Sequence, residues 1–236
     1  METTDWIYIL GTLFLGACAL FVPYLAEIVK RKAFAPNLKI LFELAPPFCH
    51  KTSWRSPLNS PTQIEEPVYY FRFQVVNEGK TQARQCEIVL ENLWIYDSAN
   101  KPQLYPNFSP VNMIWVGPSV GPSNEFININ PNRRVFCDIG HISSANYQRE
   151  KEQNIFVDIP GYRGNDLRFV LDLRQIFYSQ PNCLGSGRYI LQVGLYSENA
   201  GYQKEFFDIS WSGRWQDNND EMFREIVIAR TKSPIY

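Results

Sequence analysis

The sharpest chemistry available to this 236-residue chain lies in its two histidines and five cysteines. Cys49 and His50 are adjacent, and Cys137 precedes His141 by four positions. A thiol and an imidazole make a nucleophile when sulfur and nitrogen come within about 3–4 Å and a third group orients the ring. In an extended segment, neighbouring side chains point to opposite faces. Cys49 and His50 are therefore expected as a buried thiol beside an exposed imidazole. The same four residues would suit zinc only if their two segments met in space. Cysteines at 18, 49, 86, 137 and 183 never form a CxxC pair, which argues against a zinc knuckle or a thioredoxin-like centre. No catalytic residue, metal or cofactor is assigned from these residues.

Two further stretches carry side chains suited to ligands. Asp217–Glu221 is rich in oxygen donors, but Met222 stands where a calcium loop needs its sixth-position glycine, and Ile228 where it needs its last glutamate. A solvated turn with Asp220 capping a helical turn is the expectation. Trp211-Ser212-Gly213-Arg214-Trp215 places two indoles around a glycine, a pattern that can present a flat platform to a sugar or a cation. Trp211 keeps the buried phase of its strand, which leaves Arg214 and Trp215 as candidate binding residues. Tyr105, Phe108 and Trp115 form a second aromatic set within a proline-rich stretch. With Lys30, Arg31, Lys32 and Lys39 they are expected to suit an anionic lipid surface. No glycine-rich phosphate loop, G-x-S-x-G or H-E-x-x-H occurs. A net charge of −1, with Lys and Arg scattered, excludes a globally basic nucleic-acid binder.

These residues need strands to position them. Phe71, Phe73 and Val75 alternate with Arg72, Gln74 and Val76, and Cys86, Ile88 and Leu90 open a second run ending at Tyr96. Asn77 and Gly79 between them are expected as reversal residues that tolerate positive φ, joining a hairpin or neighbouring sandwich strands. Asn37–Leu44, Phe126–Ile129, Arg134–Ile139, Ile155–Ile159, Leu167–Leu173, Gly187–Glu198, Gln203–Trp211 and Phe223–Ala229 read as further strands. Residues 45–67 and 98–123 read as long proline-rich loops, and 141–154 as a short exposed helix or loop. Short strands at this spacing, without a helix for a βαβ unit, predict an antiparallel β-sandwich.

Ahead of them, Trp6–Ala26 carries no charge and is long enough as a helix to span about 30 Å, the bilayer's hydrocarbon core. Trp6 and Tyr24 sit near its ends, at headgroup level. Acidic residues precede it and Lys30-Arg31-Lys32 follow. That bias predicts the N-terminus outside and the large domain in the cytoplasm. The apolar run outlasts a signal peptide's, so an uncleaved anchor is expected. The expected organisation is a tail (1–5), a transmembrane helix (6–29), a basic linker (30–36) and a β-sandwich domain (37–236).

Val75-Val76-Asn77-Glu78-Gly79-Lys80-Thr81-Gln82-Ala83 is similar to the strand–turn–strand signature of bacterial Ig-like sandwiches of the cell-adhesion-related (CARDB-like) type. Gly187-Arg188-Tyr189, followed by alternating Leu191, Val193 and Leu195, resembles their penultimate strand. The whole chain resembles uncharacterised bacterial single-span proteins that carry one such domain. The resemblance implies an Ig-like fold and no catalytic set. A non-enzymatic, membrane-anchored protein binding another protein through loops and strand edges is the leading expectation. The alternatives are an exported carbohydrate-binding module using Trp215 and the loop aromatics, and a cysteine-dependent enzyme. The bilayer and a partner protein are the expected partners, nucleic acid is not, and the residues leave the oligomeric state open.

Overall fold

A computed structural model describes residues 3–55, 65–117, 125–145, 148, 160, 163, 166–177 and 179–234. The expected strand at 155–159 lies outside them. The chain opens with α1 (Thr3–Phe34), whose segment Gly11–Val29 has a mean hydropathy of 1.9 and is long and apolar enough to cross a membrane. The helix runs five residues beyond the expected span, so Lys30, Arg31 and Lys32 of the expected basic linker continue it. The physical reason is propensity. Lys, Arg and Ala are strong helix formers, and nothing opposes them until Pro36, which disfavours a helical residue before it. Trp6, Lys30, Arg31 and Lys32 have side chains outside the described set, and Tyr24 is exposed.

Two antiparallel sheets follow, packed face to face. The first orders β1 (Leu38–Leu41), β3 (Glu65–Asn77), β9 (Arg134–Ser143), β10 (Phe169–Leu171) and β11 (Cys183–Leu184). Its β2 (Cys49–Arg55) also pairs with β3, and β7 (Ile114–Val116) with β9. The second orders β14 (Ile226–Thr231), β13 (Gln203–Trp211), β12 (Gly187–Tyr196), β4 (Ala83–Tyr96) and β5 (Pro102–Leu104). There β6 (Val111–Asn112) and β8 (Ile127–Ile129) pair with β4. The two runs around Asn77 and Gly79 are thus no hairpin: β3 and β4 lie in different sheets, and the turn carries the chain across the sandwich.

The core explains the pairing. Tyr69, Phe71, Phe73 and Val75 of β3 are fully buried, as are Leu191, Val193, Phe207 and Ile209 from the other sheet. Phe73 and Phe207 meet across the interface with ring centroids 4.4 Å apart. Each such side chain contributes about 1.5–3 kcal/mol on burial. The stretch 45–67, expected as irregular, contains all of β2 and the first residues of β3. Its prolines lie before β2, in the undescribed 56–64 and at Pro67 on the sheet. Phe223 heads no strand either, because Asn219–Glu225 forms α2, capped by Asn218. Asn218 accepts from the backbone N–H groups of Asp220 and Glu221, so the cap is Asn218 and not Asp220, which sits in the first turn.

Candidate functional site

The two histidine-bearing segments lie in one sheet, one strand apart. β2 and β9 flank β3 on either side, with Cys49 opposite Phe71 and Cys137 opposite Phe73. The pleat then separates thiols from imidazoles. Cys49 and Cys137 are fully buried in the core, while His50 faces outward on the other side of the sheet. His141, four residues from Cys137, would share its face in a regular strand. A bulge between Phe71/Arg72 and Gly140/Asp138 adds one residue to β9 and turns His141 outward, opposite Tyr70. No cluster of three or more metal-ligating side chains exists among the described residues.

Burial pushes the Cys49 thiol up to about 12 and Cys86 to about 11, and raises Cys137 well above its ordinary value, with Asp138 and Asp172 adding to the rise. A thiolate is the reactive form, so these three are inert side chains of the core. Maleimide at pH 7 is expected to label them only as fast as the folded domain opens. Rapid labelling of any one in the folded protein, read by mass spectrometry, would overturn that assignment.

What the bulge assembles on the outer face of the first sheet is a polar network. His141 Nδ1 lies 2.8 Å from Asp172 Oδ1, and Arg72 Nε donates to Asp138 Oδ1 at 2.7 Å. The Arg72 guanidinium stands 5.0 Å over the Tyr70 ring, and the His141 ring lies 5.5 Å from it. His50 is paired in register with Tyr70. Gly140 makes room for β10, since a Cβ there would strike the Val170 carbonyl. Burial, reinforced by the Asp172 charge, raises the Asp138 carboxyl to about 6, against the pull of Arg72. Burial and the Arg72 charge hold the His50 imidazole below its usual range. Beside the network lies a recess of about 120 Å³ lined by Trp54, Glu66, Val68, Tyr70, His141 and Ser143.

The aromatic residues singled out from the sequence occupy other positions. Trp215 packs on Tyr69 at 5.1 Å, and its Nε1 donates to Asp217 Oδ1, which also accepts from Lys51 at 2.8 Å. The oxygen-rich run is thus spent on an ion pair and a helix cap. Arg214 is exposed beside it. Tyr105 and Phe108 contact each other at 6.5 Å and pack against the core, where Trp115 is buried at 5% exposure. Tyr105 bonds to Leu93, ten residues along β4 from Ala83 beside the helix exit. At about 3.3 Å per residue that puts Tyr105 about 30 Å from the turn where α1 ends, while Trp115, opposite Cys137, lies closer to it and is buried. Sequence reasoning missed the outer-face network because Arg72, Asp138 and Asp172 are remote in the chain, and only the bulge brings His141 to them.

Fold and face together define a two-sheet antiparallel β-sandwich, bearing an N-terminal helix of membrane-spanning length and a titratable, aromatic outer surface. Comparison with family models, with curated proteins and with solved structures finds no match to this chain.

Proposed function

We propose that this is a single-pass membrane protein whose Ig-like sandwich lies in the cytoplasm and binds a partner protein through the outer face of its first sheet. One observation carries the reading: Trp54 and Tyr70 line the recess with His141, and Arg72 stacks on the Tyr70 ring, which brings together the three residue types that dominate protein–protein hot spots. The inert thiols support a binding role over cysteine chemistry. The charge flanking the helix supports the placement.

A photocrosslinking residue replacing Thr52, exposed on β2 between His50 and Trp54, tests the site in cells. A discrete adduct is expected there, lost in Trp54→Ala/Tyr70→Ala, and none from the same residue at Lys204 on the second sheet. Equal adducts at both positions would overturn the site. A reporter fused after Tyr236 that is active only outside the cytoplasm would overturn the placement.

A further inference from the structure

The helix does not merely precede the sandwich; it is fastened to it. Thr81 Oγ1 donates to the Phe34 carbonyl at the helix end at 2.6 Å, and just past the helix the Glu78 N–H donates to the Asn37 carbonyl at 2.8 Å. Lys39 pairs with Glu78 at 2.6 Å, and Lys80 stands 5.3 Å over the Phe34 ring. This docking leaves a crevice of about 570 Å³ between the last turns of α1 and the β3–β4 and β12–β13 turns. Its lining combines Glu27 and Phe34 of the helix with Thr81, Arg84, Glu198 and Asn199 of the sandwich. Its size falls within the ordinary range of small-molecule sites, about 300–1,000 Å³.

Position and charge say what fits. Glu27 and Phe34 are seven residues apart, about 10 Å along a helix, and the apolar span ends at Val29 between them. A bilayer's interfacial layer is about 5–8 Å deep on each side, so the crevice opens at headgroup level. Among the described residues its lining carries two carboxylates and one guanidinium, with Arg84 Nε 3.5 Å from Glu198 Oε2. That balance suits a zwitterion carrying a compact hydrogen-bond-donating cation. The Phe34 ring, 47% exposed, offers an apolar wall for the glycerol end.

We propose that the crevice binds the headgroup of an aminophospholipid of the phosphatidylethanolamine type. The ammonium donates to Glu27 and Glu198, and the phosphate accepts from Arg84. The inference rests on the helix lying in a membrane, and the experiment separates the two claims. The full chain would be reconstituted into vesicles containing equal parts phosphatidylethanolamine, phosphatidylcholine and phosphatidylglycerol, then released for native mass spectrometry. The expected result is selective retention of one phosphatidylethanolamine, reduced at least tenfold in Glu198→Gln/Arg84→Gln and unchanged in the exposed-loop control Lys101→Gln. Excess soluble glycerophosphoethanolamine should leave it in place. Displacement by that competitor would overturn a lipid as the source. Equal retention of phosphatidylcholine would overturn the requirement for a donating ammonium, and preference for phosphatidylglycerol would overturn the charge assignment. Insertion with no retained lipid would overturn the crevice alone. Failure to insert would overturn the membrane reading itself.

Discussion

Asn77→Ala is expected to lower the melting temperature of the full chain in detergent by roughly 6–12 °C. Asn77 is fully buried, and its side chain uses all its bonding capacity. Its Oδ1 accepts from the backbone N–H groups of Asn37 at 3.1 Å and Gly79 at 3.0 Å. Its Nδ2 donates to the carbonyls of Thr81 at 2.8 Å and Ile129 at 2.9 Å. One amide therefore ties together the start of β1, the crossing between sheets and β8. Truncation strands two donors and two acceptors, at about 1–3 kcal/mol for each that water cannot reach. A net loss of about 3 kcal/mol follows if half of them are rehydrated, and each kcal/mol is worth about 2–4 °C at this size. Tryptophan fluorescence in a Trp6→Phe background, which leaves five tryptophans, all outside α1, reads the sandwich separately from the helix. Thr81→Ala, which removes only an exposed bond to the helix end, should cost a few degrees at most. A shift below 2 °C for Asn77→Ala would remove Asn77 as the organising residue.

The same turn shows how far the sequence could be read. Asn77 and Gly79 stand out by type, and the argument from positive φ picks the right residues for the wrong reason. Neither is among the positive-φ residues. Asn77 is a hydrogen-bonding hub. Gly79 is small because a Cβ would strike the backbone of Ala35, Pro36 and Asn37 as the helix exits. Contacts 40 residues apart in sequence leave no local signature, so composition showed that the position is special but not what it touches. The strands of the second sheet were legible because Tyr189, Leu191, Val193 and Leu195 of β12 and Phe207, Ile209 and Trp211 of β13 keep one apolar phase in the core, while Ile190 and Phe206 form a smaller buried cluster with Trp94. β2 was hidden because Cys49–Arg55 mixes Lys, Thr and Ser at the sheet edge, where burial writes little into the sequence. His141 was placed at the start of an exposed helix or loop, whereas β9 runs on to Ser143: one inserted residue breaks the alternation on which strand reading depends.

The outer-face network has a pH signature opposite in sign to that of a surface ion pair. Asp138 rises from its ordinary 3.8 to about 6 in the fold, so the native state holds its proton over a range where the unfolded chain has released it. Stability must then fall as pH rises through that window, by about 3 kcal/mol in total for a separation of about two units. The groups facing Asp138 are Arg72 on β3, His141 on β9, Asp172 after β10 and, through Arg72, His50 on β2. His50 works against it. Held below its usual range, it resists protonation and costs stability as pH drops below about 6.5. The difference between the native chain and Asp138→Asn cancels that contribution. The amide keeps an oxygen for Arg72 Nε and carries no charge to desolvate. The variant is therefore expected to be more stable than the native chain at pH 7, by up to about 3 kcal/mol, and to lose that advantage by pH 4. Arg72→Met acts in the other direction. It leaves Asp138 largely buried without its guanidinium, at about 3–5 kcal/mol at pH 7, and the loss shrinks as pH falls through about 6 and Asp138 takes up a proton. Denaturant midpoints across pH 4–7 measure both. Parallel curves for the native chain and Asp138→Asn would mean that this carboxyl titrates like an exposed one. A face that instead changes charge near pH 6 would grip its partner differently on either side of that value.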